Sequence, residues 1–127
     1  SILDLRGLRR AIGAAPLAGA RVLHLFASAG MLGRVAEGAG AREILQVDAS
    51  EAALAFAAAH HVDDRARHTF VTADVFRWLP ALPPDELYDL VIVSPPSMTH
   101  SKAQVSAALA GYRKLYQAAA PHVRPRG

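Results

Sequence analysis

The stretch Arg21-Val-Leu-His-Leu-Phe26-Ala27-Ser28-Ala29-Gly30-Met31-Leu32-Gly33 decides the reading of this chain. An apolar run of strand length stops at a loop of small residues. From Met31 to Ala39 the positions Leu32, Val35 and Ala36 then fall on one side of a helix, which Gly38 and Gly40 end. Strand, tight turn and helix together make the repeating unit of a sheet wrapped by helices.

Outward from this stretch the alternation recurs. Glu43-Ile-Leu-Gln-Val47 reads as a second strand, Ser50 as an N-cap and Glu51 to His60 as an Ala-rich helix. His68 to Thr72 is a third strand, followed by a helical turn at Val75 to Leu79 and a loop carrying Pro80, Pro83 and Pro84. Tyr88 to Val93 is the fourth and most apolar strand, apart from Asp89, and Gln104 to Ala120 the last helix, closed by Pro121. Ahead of all four, Leu5, Leu8 and Ile12 lie at helical spacing with Asp4 placed as a cap. Four strand–helix units with right-handed crossovers predict an α/β fold, a Rossmann-like parallel sheet with flanking helices, whose ligands meet the carboxyl ends of the strands.

The 127 residues suit one domain. Pro121 to Gly127 reads as a turn leading to a fifth strand, so residues 1–127 are expected to be a single, partial domain, truncated after the fourth strand–helix unit. The edge of the fourth strand is then expected to be bare, which natural proteins avoid. The absence of Cys excludes a disulfide scaffold, a thiolate metal site and a cysteine nucleophile from these residues. The 52% hydrophobic content reflects 27 alanines rather than a membrane span, and Asp4, Arg6, Arg9 and Arg10 interrupt any signal peptide. A cytoplasmic location without membrane association is the expectation. The net charge of +3 is compatible with an anionic partner.

Four strand ends carry the candidate chemistry. At the first, Phe26 to Gly30 lets a ligand approach the backbone, although Ser28 holds the first glycine position of a Gly-x-Gly-x-x-Gly pattern. At the second, Asp48, followed by Ala49, is placed to accept both hydroxyls of a ribose; a helix cap beside Ser50 is the alternative. At the third, Asp74 is placed to accept from an exocyclic amine of adenine, with Phe76 or Val75 lining the ring, or else to act as an N-cap. At the fourth, Ser94-Pro95-Pro96-Ser97 fixes the backbone and removes two donors.

This combination resembles the class I methyltransferases that use S-adenosylmethionine, and more closely the bacterial family that methylates large-subunit ribosomal RNA at cytosine C5 or guanine N7. Leu3-Asp4-Leu5-Arg6 is similar to the family's Leu-Asp-x-Arg segment. Val22 to Phe26 with Ala29-Gly30 is similar to its first cofactor loop. Gln46-Val-Asp48-Ala49-Ser50 resembles its Val-Asp-x-Ser, Thr72-Ala-Asp74-Val75-Phe76 its Ala-Asp-Val-Phe, and Ser94-Pro-Pro-Ser97 with Ser101-Lys102 its Asp-Pro-Pro-Ser-Phe and Ser-Lys. Gly111-Tyr112-Arg113 matches a motif of the last helix. The resemblance implies S-adenosylmethionine as cofactor and ribosomal RNA as substrate. It implies Asp48 at the ribose, Asp74 at the adenine, Ala27, Ser28, Ala29 and Gly30 beside the methionine part, Asp4 and Arg6 positioning that part, and Ser94, Pro95 and Pro96 at the catalytic strand end. Ser94 replaces the family's Asp, Ser28-Ala29 its Tyr-Thr, and the cysteine of the C5 enzymes is not among these residues.

Three other readings compete. A nicotinamide-dependent dehydrogenase shares the turn and Asp48 but needs neither Asp74 nor the Pro-Pro end. A hydrolase elbow would need Gly where Phe26 stands. A degenerate, non-catalytic fold could bind RNA through Arg6, Arg9, Arg10, Arg65, Arg67 and Lys102, or bind a protein partner. His60-His61 makes a poor metal pair, His24 is expected as a satisfied core residue, and His100 as a candidate substrate contact.

Overall fold

The apolar runs assemble into one five-stranded parallel sheet in the computed structural model, which describes residues 2–3, 18–27, 36–60, 62, 64–93 and 102–124. Its strands are β1 (Ile2–Leu3), β2 (Arg21–Leu25), β3 (Glu43–Asp48), β4 (His68–Thr72) and β5 (Leu90–Val93). The order across the sheet is β1-β5-β2-β3-β4, so the two most apolar strands, β5 and β2, are central. All four β5 residues are buried, as expected of a strand covered on both faces. The helices are α1 (Glu51–His60), α2 (Val75–Trp78) and α3 (Lys102–Ala119), with short 3-10 turns at Arg65–Arg67, Leu79–Ala81 and Ala120–His122. No helix among the described residues is long and apolar enough to cross a membrane.

The alternating side chains of the strands build two cores. On one face Leu23, Leu25, Val47, Val91 and Val93 pack with Val75 and Leu79 below β4 and with Leu115 and Ala119 of α3. On the other, Val22, Ile44, Leu90 and Ile92 pack with Ala36 and Ala41. This second face also carries a polar row that the apolar pattern conceals. His24, Gln46 and His68 are all buried there. Gln46 Nε2 and His68 Nδ1 lie 2.8 Å apart, and His68 Nε2 lies 3.5 Å from Glu37 Oε1. Burial in apolar surroundings pushes the His24 imidazole down to about 4, although a hydrogen bond with Gln46 and the charge of Asp48 oppose the shift. His24 is thus the core residue expected, held neutral.

Local chemistry sets the element ends. Residues 36–38 are helical, and Gly40 follows with φ +99°, a conformation that a side chain strains. Its N–H donates to Glu37 O and that of Ala41 to Ala36 O. Ser50 caps α1, its Oγ accepting from Ala53 N–H at 3.1 Å. Asp89, the one charge in the fourth apolar run, sits at the amino end of the sheet, where Oδ2 accepts the Arg21 N–H at 2.8 Å.

Two expectations need correction. The edge of β5 is not bare, because Ile2 and Leu3 pair in parallel with Val91 and Ile92, and Val123 bridges Tyr88. A two-residue strand carries no periodicity of its own, so only its partner's unpaired edge reveals it. The fourth strand also begins at Leu90 rather than Tyr88, whose pairing is an isolated bridge to Val123. The predicted helix from Leu5 to Ile12 and the first part of the Met31–Ala39 helix lie outside the described residues.

Candidate functional site

Parallel register sets the ends of β2, β3 and β4 side by side. Leu25 is opposite Val47, and Asp48 opposite Thr72. The hydrogen-bond ladder continues one step past the strands. Ala27 N–H donates to Val47 O at 3.0 Å, and Ala73 N–H donates to Asp48 O at 2.9 Å. Phe26-Ala27, Asp48-Ala49 and Ala73-Asp74 therefore form one row along the carboxyl end of the sheet, where ligands of this architecture bind.

Each predicted residue in the row has a distinct state. Phe26 leaves β2 with φ +58°, a left-handed conformation unusual for a bulky residue, which turns the chain sharply away from the strand. Its ring lies 5.5 Å from that of Phe76, at 55°. Ala27 is buried. Asp48 is half-buried, with Oδ1 accepting the Ser50 N–H at 2.8 Å, while Ala49 is exposed. Asp74 is exposed and caps α2, Oδ1 accepting the Phe76 N–H at 3.0 Å. Arg77 Nε approaches the other oxygen of Asp74 at 3.8 Å. The capping alternatives weighed for Asp48 and Asp74 are thus real, yet each carboxylate stays at the strand end and keeps its acceptor chemistry.

Val75 is 2% exposed, its side chain packed in the core below the strand end. Phe76 has the opposite fate: its ring is 49% exposed and in reach of Gly111 on α3, where an added Cβ would meet it at 3.7 Å. Two neighbours in one helical turn cannot face the same way, and the core takes the β-branched one.

Arg65 and Arg67 both have partners within the fold. Arg65 Nη1 donates to His68 O at 3.0 Å and its guanidinium lies over the Phe70 ring at 4.7 Å. Arg67 pairs with Asp64 at 3.3 Å. His60 packs tilted, at 43°, against Phe56 on the exposed side of α1, with ring centroids 4.5 Å apart. Asp4, Arg6, Arg9, Arg10, Ser28, Ala29, Gly30, His61, Ser94, Pro95, Pro96 and His100 lie outside the described residues, as does the side chain of Lys102. The Gln46–His68–Glu37 row escaped prediction, although a Gln inside an apolar strand was its visible signal.

Two carboxylates in one row at the carboxyl end of the sheet offer acceptors of the kind a nucleoside ligand can use. The family model of S-adenosylmethionine-dependent methyltransferases matches residues 1–126. A ribosomal RNA large subunit methyltransferase of Deinococcus radiodurans is 37% identical over 86% of this chain and 28% of its own length. The large subunit methyltransferase I of Serratia proteamaculans is 34% identical over 87% of this chain and 29% of its own. Among solved structures, the methyltransferase SMU.776, complexed with SAH, superposes with a TM-score of 0.74 at 30% identity, over 98% of this chain and 34% of that one. The chain thus spans under a third of the length of the two ribosomal RNA methyltransferases and about a third of the solved chain. With the family matched over nearly every residue, the chain belongs to the S-adenosylmethionine-dependent methyltransferases.

Proposed function

We propose that the protein transfers the methyl group of S-adenosylmethionine to ribosomal RNA, with this chain supplying the cofactor end of the site. The observation that carries the reading is the pair Asp48 and Asp74 at the ends of adjacent parallel strands, joined through the Ala73 N–H to Asp48 O bond beside the Phe26-Ala27 turn. Adenosine presents a diol and an exocyclic amine, all donors, and ionised carboxylates are pure acceptors. The residues therefore fit the group. Asp48 accepts from the ribose hydroxyls, with Ala49 beside it. Asp74 accepts from the adenine amine, with the Val75 backbone and the Phe76 ring bordering the base. Ala27, Ser28, Ala29 and Gly30 leave room for the methionine part, and Asp4 and Arg6 position it. Ser94, Pro95 and Pro96 hold the strand end against which the acceptor base is aligned.

The cofactor supplies an electrophilic methyl on its sulfonium sulfur, so these residues act by binding and orienting rather than by covalent chemistry. Ribosomal RNA as substrate is supported by the names of the two relatives. Calorimetric titration with S-adenosylmethionine and with NAD tests the reading. Binding of the former and not the latter is expected; tight NAD binding without a response to S-adenosylmethionine sinks it. If cofactor binds but the longer protein methylates no ribosomal RNA, the non-catalytic RNA-binding module takes its place.

A further inference from the structure

The charge of this chain is unevenly placed. Residues 90–127 carry Lys102, Arg113, Lys114, Arg124 and Arg126 and no Asp or Glu at all, while all 11 acidic residues precede them. The net positive charge therefore belongs to the last helix and its flanks. On α3 the exposed positions Ala110, Arg113, Lys114 and Gln117 follow i, i+3, i+4, i+7 spacing, so they form one outward stripe opposite the buried Leu115 and Ala119. Neither Arg113 nor Lys114 is ion-paired among the described residues.

Beside this stripe runs a groove of about 230 Å³ lined by Phe76, Pro80, Lys114, Leu115 and Ala118. Its walls are apolar, and its aromatic member is the half-exposed Phe76, one residue before Arg77, whose side chain is 90% exposed. The volume is below the roughly 300–1,000 Å³ of sites that enclose a whole small ligand. An exposed ring beside the cations of α3, a helix without a single carboxylate, suits single-stranded nucleic acid, with bases stacking on the ring and phosphates meeting Lys114 and Arg113.

We propose that the groove between α2 and α3, with Phe76 on its wall and Lys114 at its edge, together with the exposed α3 stripe that carries Arg113, is an RNA-binding surface that leads the substrate strand to the cofactor end of the sheet. Phe76 joins the two, because its N–H donates to Asp74 Oδ1 and its ring lies against Gly111. The inference rests on the RNA substrate named above, not on the details of the cofactor pocket.

The test is fluorescence anisotropy of the full chain with a fluorescein-labelled 20-nucleotide single-stranded RNA, at several salt concentrations. R113E/K114E is expected to lose at least tenfold in affinity and to flatten the salt dependence by about 1.4 in log–log slope, at about 0.7 per lost phosphate contact. The neutral pair R113Q/K114Q, which keeps helix propensity, is expected to fall between the two. Arg42→Glu, exposed at the opposite end of the sheet, is expected to bind like the parent. Unchanged affinity and slope in both double variants overturns the proposal, as does a parent that binds no RNA while binding S-adenosylmethionine. If the double variants lose RNA and the parent fails to bind S-adenosylmethionine, the surface stands and the cofactor reading fails instead.

Discussion

The Ser50 N–H donates to Asp48 Oδ1 at 2.8 Å, so the carboxylate assigned to the ribose is also the acceptor that turns the chain from β3 into α1. The two duties separate by substitution. Asp48→Asn keeps an oxygen for the Ser50 N–H but loses the charge, whereas Asp48→Ala loses both. Hydrogen bonds to a charged group contribute about 1.5–3 kcal/mol, so both variants should bind S-adenosylmethionine about 10–100-fold more weakly by calorimetry. Only Asp48→Ala should also lower the unfolding midpoint in urea. Unchanged affinity in Asp48→Asn removes this residue from the site.

His24 predicts an acid limb. Its folded pKa, about 4, is below the ordinary 6.5, because burial disfavours the imidazolium. The unfolded state therefore binds the proton more readily. Stability contributed by the neutral ring is complete above pH 6.5 and is lost as pH falls from 6.5 through 4. Burial also lowers the pKa of His68, despite the opposing charge of Glu37, so it adds loss of the same sign. His24→Asn should make the stability curve shallower between pH 6.5 and 4 in urea melts read by circular dichroism. An identical slope would contradict this account.

Two glycines should respond oppositely to alanine. Gly111 lies inside α3, and a Cβ there would meet the Phe76 ring at 3.7 and 3.8 Å, ordinary contact. Gly111→Ala should gain about 0.5–1 kcal/mol from helix propensity. Gly40 has φ +99° and a Cβ would stand 3.1 Å from the Ala18 Cα, a backbone atom that cannot swing aside. Gly40→Ala should lose about 1–3 kcal/mol. Thermal melts of the two variants must move apart for the assignments to hold.

Arg21 ties the amino end of the sheet together. Its guanidinium bonds Glu43 at 3.0 Å, Glu86 at 3.1 Å and Leu87 O at 3.0 Å, and lies 4.6 Å from the Tyr88 ring centroid. A lysine has no planar fork to serve these partners together. Arg21→Lys should cost about 1–2 kcal/mol in urea unfolding, since the pairs are partly exposed and screened. Cofactor affinity should stay unchanged, because the proposed site lies at the opposite end of the sheet.

Strands β2 to β5, the helices α1 to α3 and the caps Ser50 and Asp74 were legible in the sequence. Apolar runs bounded by small or capping residues have few conformational choices, and Ser50 and Asp74 act through bonds to residues two or three positions away. Local physics of that kind is written in consecutive letters. Ile2-Leu3 was not legible as a strand, because its structure consists of pairing with residues about ninety positions away. The same holds for the burial of Val75 against the exposure of Phe76, and for the Gln46–His68–Glu37 row, whose members meet only across neighbouring elements.

By itself, then, the sequence determined a parallel α/β sheet with carboxylates at two of its strand ends, because periodicity and turn chemistry act over a few residues. Tertiary structure alone decided that Asp48 and Asp74 share one row, that Arg65 and Arg67 meet His68 and Asp64, and that Lys114 lines a groove with Phe76. Those outcomes depend on strand register and helix packing, which bring distant residues together and are encoded in no single stretch of chain.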